Sequence, residues 1–216
     1  MPRILTFTTG PSDWQRLLAD PMKHWRSGYS ARTLAHCWEA EDGFPAEVSM
    51  AFSQTTDPLL IDLVPLLAVP EFKVPLPGGS RASQTDIFVL ARSSAGPVCI
   101  MVEGKVNESF GPTLDEWQAD ASPGKDKRFR FLLRTLCSAA VPDGGIRYQF
   151  LHRAASAIIA AEQYRAVAGR TSWVVHTWPT SNCGCLFSTT FRLTSFRSLK
   201  YLPFSIRSAS PYLKER

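Results

Sequence analysis

Two neighbouring apolar stretches carry charged residues that an ordinary β-strand would lack. SQTDIFVL (83–90) contains Asp86, and VCIMVEGKV (98–106) contains Glu103 and Lys105. Burying a charge is costly unless it is paired, hydrogen-bonded or bound to a metal. Two carboxylates suit a hard cation such as Mg²⁺, and a lysine beside them can orient a water and stabilise transition-state charge. These residue types indicate metal-assisted hydrolysis of a phosphodiester.

The two stretches are predicted to pair as an antiparallel hairpin around the turn RSSAGP. Side chains alternate between the faces of a strand, so Glu103 and Lys105 project from one face and Gly104 from the other. In such a hairpin Asp86 lies beside the end of the second strand that carries Glu103. The Gly104 carbonyl offers a further oxygen, so the predicted metal ligands are Asp86, Glu103 and Gly104.

Helices and strands alternate around this hairpin. Hydrophobic periodicity, caps and breakers predict helices over 13–20, 31–43, 45–54, 113–120, 122–140 and 150–167, and strands near 69–76, 85–92, 97–106 and 171–178. The segment from Pro179 onwards is rich in Ser and Thr and shows no clear periodicity. The predicted organisation is one domain over 1–178, followed by a basic segment over 179–216 without assigned structure.

The acid on one strand and the Glu-x-Lys on the next resemble the PD-(D/E)xK nuclease superfamily. Asp86 and Glu103-Gly104-Lys105 match its pattern, although Thr85 replaces the usual proline. HWRSGYSARTLAHCWEA, KVPLPGGSRASQTDIF, VEGKVNESFGPTLDEW and YQFLHRAASAI also resemble a family of uncharacterised bacterial proteins of about this length. The resemblance implies an α/β fold with a restriction-endonuclease-like core, in which helices flank a central mixed β-sheet.

The resemblance also implies an activity and further site residues. It predicts Mg²⁺- or Mn²⁺-dependent hydrolysis of nucleic acid, with DNA preferred over RNA. Many members take another metal ligand from a helix ahead of the hairpin, where Glu39 is the better candidate and Glu47 the weaker. Many also place a Gln or basic residue near the site from a later helix. Gln149 is the candidate there, with His152 or Arg153 one turn further on. Many nucleases of this fold act as dimers, so the resemblance allows a homodimer.

Less specific interpretations compete with a nuclease. Asp86, Glu103 and Lys105 could form a buried ion pair in a catalytically inactive nuclease-fold module with a binding or regulatory role. The basic run 125–134 could bind phosphates or be a solvated helix face. Cys183-Gly-Cys185 is too closely spaced for an ordinary zinc half-site. A Gly-x-Ser-x-Gly hydrolase elbow is absent from the sequence.

The amino-acid composition and the charge distribution exclude several classes of protein. The hydrophobic fraction is 44% and the charged fraction 20%, which is typical of a globular chain. The longest apolar runs fall short of a membrane span, five scattered cysteines argue against a disulfide framework, and the N-terminus does not resemble a secretory signal. A cytoplasmic protein without a membrane partner is therefore expected. Residues 1–162 hold 16 Lys/Arg and 18 Asp/Glu, a net charge of −2, so the overall charge of +5 comes from the C-terminal quarter.

Overall fold

A computed structural model describes residues 8–53, 57–137, 141–176, 183–195 and 198–201. Short 3₁₀ helices span Pro11–Leu17 and Pro58–Leu60. The described α-helices are α1 (Pro21–His24), α2 (Ser30–Glu39), α3 (Ala46–Ser53), α4 (Leu114–Gln118), α5 (Pro123–Thr135) and α6 (Tyr148–Gln163). The described strands are β1 (Val64–Val74), β2 (Ser83–Ser93), β3 (Gly96–Lys105), β4 (Ala168–His176), β5 (Cys183–Ser195) and β6 (Ser198–Tyr201).

The strands form one mixed sheet in the order β1-β2-β3-β4-β5-β6. The first three strands make an antiparallel meander, and β4 then pairs in parallel with β3. A parallel neighbour requires a crossover, and α4, α5 and α6 lie on the connection between β3 and β4. The strands β5 and β6 continue the sheet with antiparallel pairing.

Helices cover both faces of the sheet because the central strands are apolar on both sides. On one face, Ile87, Val89, Ile100 and Val102 pack against α2 through Leu34, Ala35 and Trp38. On the other face, Phe88, Cys99 and Met101 pack against the alanines of α6, which are Ala157, Ala160 and Ala161. A further cluster joins α5 to α6 through Leu132, Leu136, Tyr148 and Leu151. The protein is therefore an α/β protein with a mixed open sheet flanked by helices.

Local signals explain where the helices around the crossover begin. The Thr113 hydroxyl accepts a hydrogen bond from the Glu116 N–H, and the Glu116 carboxylate accepts one from the Thr113 N–H, which makes a capping box for α4. Ser122 caps α5 in a similar way by accepting from the Lys125 N–H, and Pro123 follows it. These two caps fix the start of the helices that lead towards α6.

The sequence-based expectations hold for the hairpin and need correction at some element boundaries. The predicted pairing of 85–92 with 97–106 is confirmed by β2 and β3. The first strand begins at Val64, earlier than the predicted 69, because an edge strand tolerates the prolines that looked like breaks. The helix predicted over 13–20 is a 3₁₀ helix over Pro11–Leu17.

The segment after residue 178, to which the sequence assigned no structure, contributes β5 and β6 to the sheet. Residues 202–216 lie outside the described part of the chain. Within the described residues, every helix is too short or too polar to cross a membrane.

Candidate active site

The hairpin register brings Asp86 and Glu103 to the same place. Ile87 of β2 pairs with Val102 of β3, so the next positions outward along the ladder are Asp86 and Glu103. Residues opposite each other in an antiparallel pair point to the same face. That face is the one that packs against α6. Lys105, two residues after Glu103, follows on the same side of β3.

Glu103 is the most enclosed of these residues, with no exposed surface. Its Oε1 forms an ion pair with the Nε of Arg153, which is itself only 7% exposed. Its Oε2 accepts a hydrogen bond of 3.1 Å from the Nε2 of Gln149. Both partners stand one helical turn apart on α6 and face the sheet. The structure thus brings the predicted residues Glu103 and Gln149 into direct contact.

Asp86 lies beside Glu103 and is held by the backbone. Its Oδ2 accepts a hydrogen bond of 2.8 Å from the Gly104 N–H. Burial raises the pKa of Asp86 well above its ordinary value, the carboxylates of Glu103 and Glu71 add to this effect, and Lys105 only partly opposes it. Desolvation and like charges both disfavour an ionised carboxylate. A cation bound at Asp86 would therefore strongly stabilise the ionised form of its carboxylate.

A third carboxylate, that of Glu71 on β1, lies in the same region. Glu71 is not among the site residues predicted from the sequence. Pro70 pairs with Ile87 and Phe72 with Thr85, so Glu71 lies beside Asp86 on the neighbouring strand. Glu71 has a positive φ of 53°, which is in the left-handed region that residues other than glycine rarely adopt. Its Oε2 accepts a hydrogen bond of 2.5 Å from Gln84 Nε2. Burial is the main cause that raises the pKa of Glu71 to about 7.

Ser83 and His152 form a hydrogen-bond network with Arg153. Arg153 Nη1 donates to the Ser83 hydroxyl at 2.8 Å, and the same hydroxyl lies 3.0 Å from His152 Nδ1. Burial and then the positive charge of Arg153 hold the pKa of His152 well below its ordinary value. The Nδ1 of a neutral imidazole can accept a hydrogen bond from the Ser83 hydroxyl, so Ser83 can bridge the two side chains. The network orients the guanidinium that contacts Glu103.

Gly104 is required at its position by the close approach of α2. A Cβ added there would lie 2.7 Å from Leu34 Cδ1 and 3.0 Å from Ser30 Cβ, which is closer than real contacts. The contact that the structure shows between Gly104 and the site is its N–H to Asp86. The expectation that the Gly104 carbonyl binds a metal stays a prediction.

Glu39 is placed away from this cluster. It is the last residue of α2, the helix on the opposite face of the sheet from α6, and its Oε1 accepts a hydrogen bond of 2.7 Å from Trp14 Nε1. It is not among the charged groups that shift the pKa of Asp86. The structure therefore gives Glu39 a structural partner, and its role as a metal ligand stays a prediction. The side chain of the weaker candidate, Glu47, lies outside the described part of the chain.

The donor chemistry of Asp86 and Glu103 suits Mg²⁺ or Mn²⁺. Among the described residues, no group of three or more His, Cys, Asp or Glu side chains is arranged to hold a metal ion. Mg²⁺ needs fewer protein ligands, because it commonly uses one or two carboxylates together with water and substrate phosphates. Two adjacent carboxylates fit that pattern. Arg153 competes with such a cation for Glu103.

The fold and site define an α/β protein with a mixed open sheet and a cluster of carboxylates and basic groups between the sheet and α6. The chain belongs to the family described as "Domain of unknown function (DUF6946)", whose model matches residues 7–197. Comparisons with curated proteins and with solved structures find no match.

Proposed function

We propose that the chain is a metal-dependent nuclease that hydrolyses phosphodiester bonds of nucleic acid, with DNA preferred over RNA. The observation that carries this proposal is the convergence of Asp86, Glu103 and Gln149 from β2, β3 and α6, with Lys105 on the same side of β3. These are the positions that the resemblance to the PD-(D/E)xK superfamily predicts.

The order of elements supports the same proposal. A helix precedes an antiparallel three-stranded meander, and a helical crossover leads to a fourth strand parallel to the third. The resulting mixed sheet flanked by helices agrees with the general architecture that the resemblance implies. A fold hosts many functions, so the proposal rests on the site rather than on the topology.

Each residue has a distinct part in the proposed reaction. Asp86 and Glu103 would hold Mg²⁺, which would supply a Lewis acid for the phosphoryl oxygen and lower the pKa of water. Lys105 orients the attacking water and stabilises negative charge on the phosphoryl oxygens. The water oxygen forms a bond to phosphorus as the bond to the leaving oxygen breaks. The proton of the water goes to solvent, and the leaving oxygen takes a proton from solvent. Gln149 positions the carboxylate of Glu103.

A cleavage assay tests this function. Purified protein is incubated with plasmid DNA or labelled single-stranded DNA in the presence of Mg²⁺ or Mn²⁺. Lys105→Ala is expected to lower the rate by about 100-fold or more, as removal of a transition-state donor does elsewhere. The matched control is Lys23→Ala, which removes an exposed lysine of α1. Equal cleavage by the wild-type protein and Lys105→Ala would overturn the assignment.

A catalytically inactive nuclease-fold module is the second candidate. The observation that favours it is the ion pair between Glu103 and Arg153, because a guanidinium already supplies the positive charge that a metal would bring. Calorimetric titration with Mn²⁺ separates the two candidates. If the wild-type protein binds no metal and Lys105→Met raises the free energy of unfolding, the charges form a costly buried network in an inert scaffold.

A further inference from the structure

The helix α5 presents a basic face to solvent. Lys127, Arg130 and Arg134 are all exposed. They are spaced three and four residues apart, so they lie on the same side of the helix. We call these three residues the α5 basic face. At 1.5 Å per residue the face extends over about 10 Å.

The opposite side of α5 is firmly attached to the body of the protein. Leu132 and Leu136 pack in the cluster shared with α6. Arg128 anchors the loop that precedes β2 by donating to the carbonyls of Leu76, Pro77, Gly79 and Arg81. That loop leads into Ser83, which contacts Arg153 of the candidate site. The α5 basic face therefore has a fixed position on a helix that adjoins the helix of the site.

Within the described part of the chain, no ion pair involves a side chain of the α5 basic face. The ion pairs among the described residues involve other basic side chains, which are Arg16, Lys125, Arg147 and Arg153. Asp126 lies one turn before Arg130, and no ion pair joins the two in that part of the chain. Like charges three and four residues apart on one side of a helix repel each other and destabilise it. A polyanion bound at the face would remove this repulsion.

Within residues 1–162, positive charge is concentrated on α5. This helix carries five Lys/Arg and one Asp, whereas the rest of residues 1–162 carries 11 Lys/Arg and 17 Asp/Glu, a net charge of −6. The near-neutral total of residues 1–162 thus combines one basic helix with a remainder whose net charge is −6. Segregated charge of one sign is the electrostatic footprint of polyanion binding.

We propose that the α5 basic face binds the phosphate backbone of a nucleic acid strand. Duplex DNA carries one charge per about 1.7 Å of its axis, so a face of this length can meet several phosphates. None of the exposed large hydrophobic residues among the described ones lies on α5, which disfavours insertion into a lipid surface. This inference concerns binding alone and rests on the proposed function only for the identity of the polyanion.

A binding experiment without metal tests the inference separately from cleavage. The triple variant Lys127→Gln, Arg130→Gln, Arg134→Gln is compared with the control Lys23→Gln, Arg26→Gln, Arg32→Gln, which removes the same charge from exposed positions on and near α1 and α2. Fluorescence anisotropy in EDTA measures binding to labelled single-stranded and duplex DNA over a range of salt concentrations. Vesicles with and without phosphatidylserine are titrated in parallel.

The α5 variant is expected to bind DNA at least about 10-fold more weakly than the control variant, because it loses three phosphate contacts. Its plot of log K against log salt should be shallower by about two for single strands and nearly three for duplex DNA. Equal DNA affinity of the two variants would overturn the inference. So would α5-dependent binding to phosphatidylserine vesicles without binding to DNA. A wild-type protein that binds DNA through α5 but does not cleave it would contradict the proposed function and leave this inference standing.

Discussion

The two faces of the hairpin β2–β3 differ sharply although the same strands build them. The face towards α2 is apolar at its centre, where Ile87, Val89, Ile100 and Val102 are completely buried. The face towards α6 begins with Phe88 and Met101 in the same manner, but then continues into Asp86 and Glu103.

On the α2 face the buried side chains are apolar and contribute to packing, whereas on the α6 face a charged side chain is buried as well. Glu103 is as buried as its apolar neighbours. Burying its charge is costly, and its contacts with Arg153 and Gln149 offset part of that cost. A purely structural face would have continued with apolar residues. The charged end of the α6 face is therefore where function is expected, and the predictions below test the difference between the two faces.

The largest effect is expected when the ion pair on the α6 face is broken. Arg153→Met leaves the buried Glu103 carboxylate without a partner, which should lower the free energy of unfolding by about 3–5 kcal/mol. Urea denaturation in EDTA measures this loss. The double variant Arg153→Met, Glu103→Gln is the control, and it should recover most of the lost stability. A loss below about 1 kcal/mol in the single variant would show that the pair contributes little.

A steric change tests the α2 face. Gly104→Ala would bring a Cβ within 2.7 Å of Leu34 Cδ1, and overpacking of this kind costs about 1–3 kcal/mol. Gly43→Ala is the matched control, because a Cβ there meets nothing within 4 Å. Thermal and urea unfolding of the two variants give the measurement. If both variants are equally stable, α2 does not pack tightly on this face.

The raised pKa of Glu71, on the α6 side of the sheet, predicts that the free energy of unfolding depends on pH. The folded protein keeps a proton on Glu71 up to about pH 7, whereas the ordinary value is 4.5. The contribution of Glu71 to stability is therefore complete below about pH 4.5 and is lost as the pH rises to 7 and above. Glu71→Gln should be more stable than the wild-type protein at pH 6 by roughly 2 kcal/mol, with the difference vanishing near pH 4.

Denaturation in EDTA at several pH values checks this prediction, with Glu162→Gln as the control for an exposed carboxylate. A difference between Glu71→Gln and the wild-type protein that does not change with pH would show that burial leaves the ionisation of Glu71 unaffected.

The smallest effect is expected at Glu39. Glu39→Ala removes the acceptor of the Trp14 indole N–H, which should cost about 1 kcal/mol of stability. Cleavage by the variant should stay unchanged, since Glu39 lies on a helix of the other face. Loss of cleavage at unchanged stability would instead make Glu39 a site residue, as the resemblance to the nuclease superfamily implies.

The centre of the site could be predicted from the sequence because it depends on short-range periodicity. A period of two places Glu103 and Lys105 on one face, and the hairpin turn brings Asp86 beside them. Gln149 and Arg153 are candidates from the sequence as well. They lie one helical turn apart on α6, and both contact Glu103.

Glu71 could not be identified in this way. Its position depends on the pairing of a third strand, and the prolines in VPLLAVPEFKV obscured that strand in the sequence. The position of Glu39 against Trp14 is also a long-range contact, twenty-five residues apart, which no local pattern encodes. The strands β5 and β6 escaped prediction because their segment shows no clear alternation of polar and apolar residues.

The most direct test of the proposed site is a calorimetric titration with Mn²⁺ at neutral pH, comparing the wild-type protein with Asp86→Asn. If Asp86 and Glu103 share a cation, the wild-type protein should bind Mn²⁺ and the variant should lose at least about 10-fold in affinity, since a metal ligand is removed. A wild-type protein that binds no Mn²⁺, or a variant that binds it equally well, would contradict the assignment of a metal site to these carboxylates.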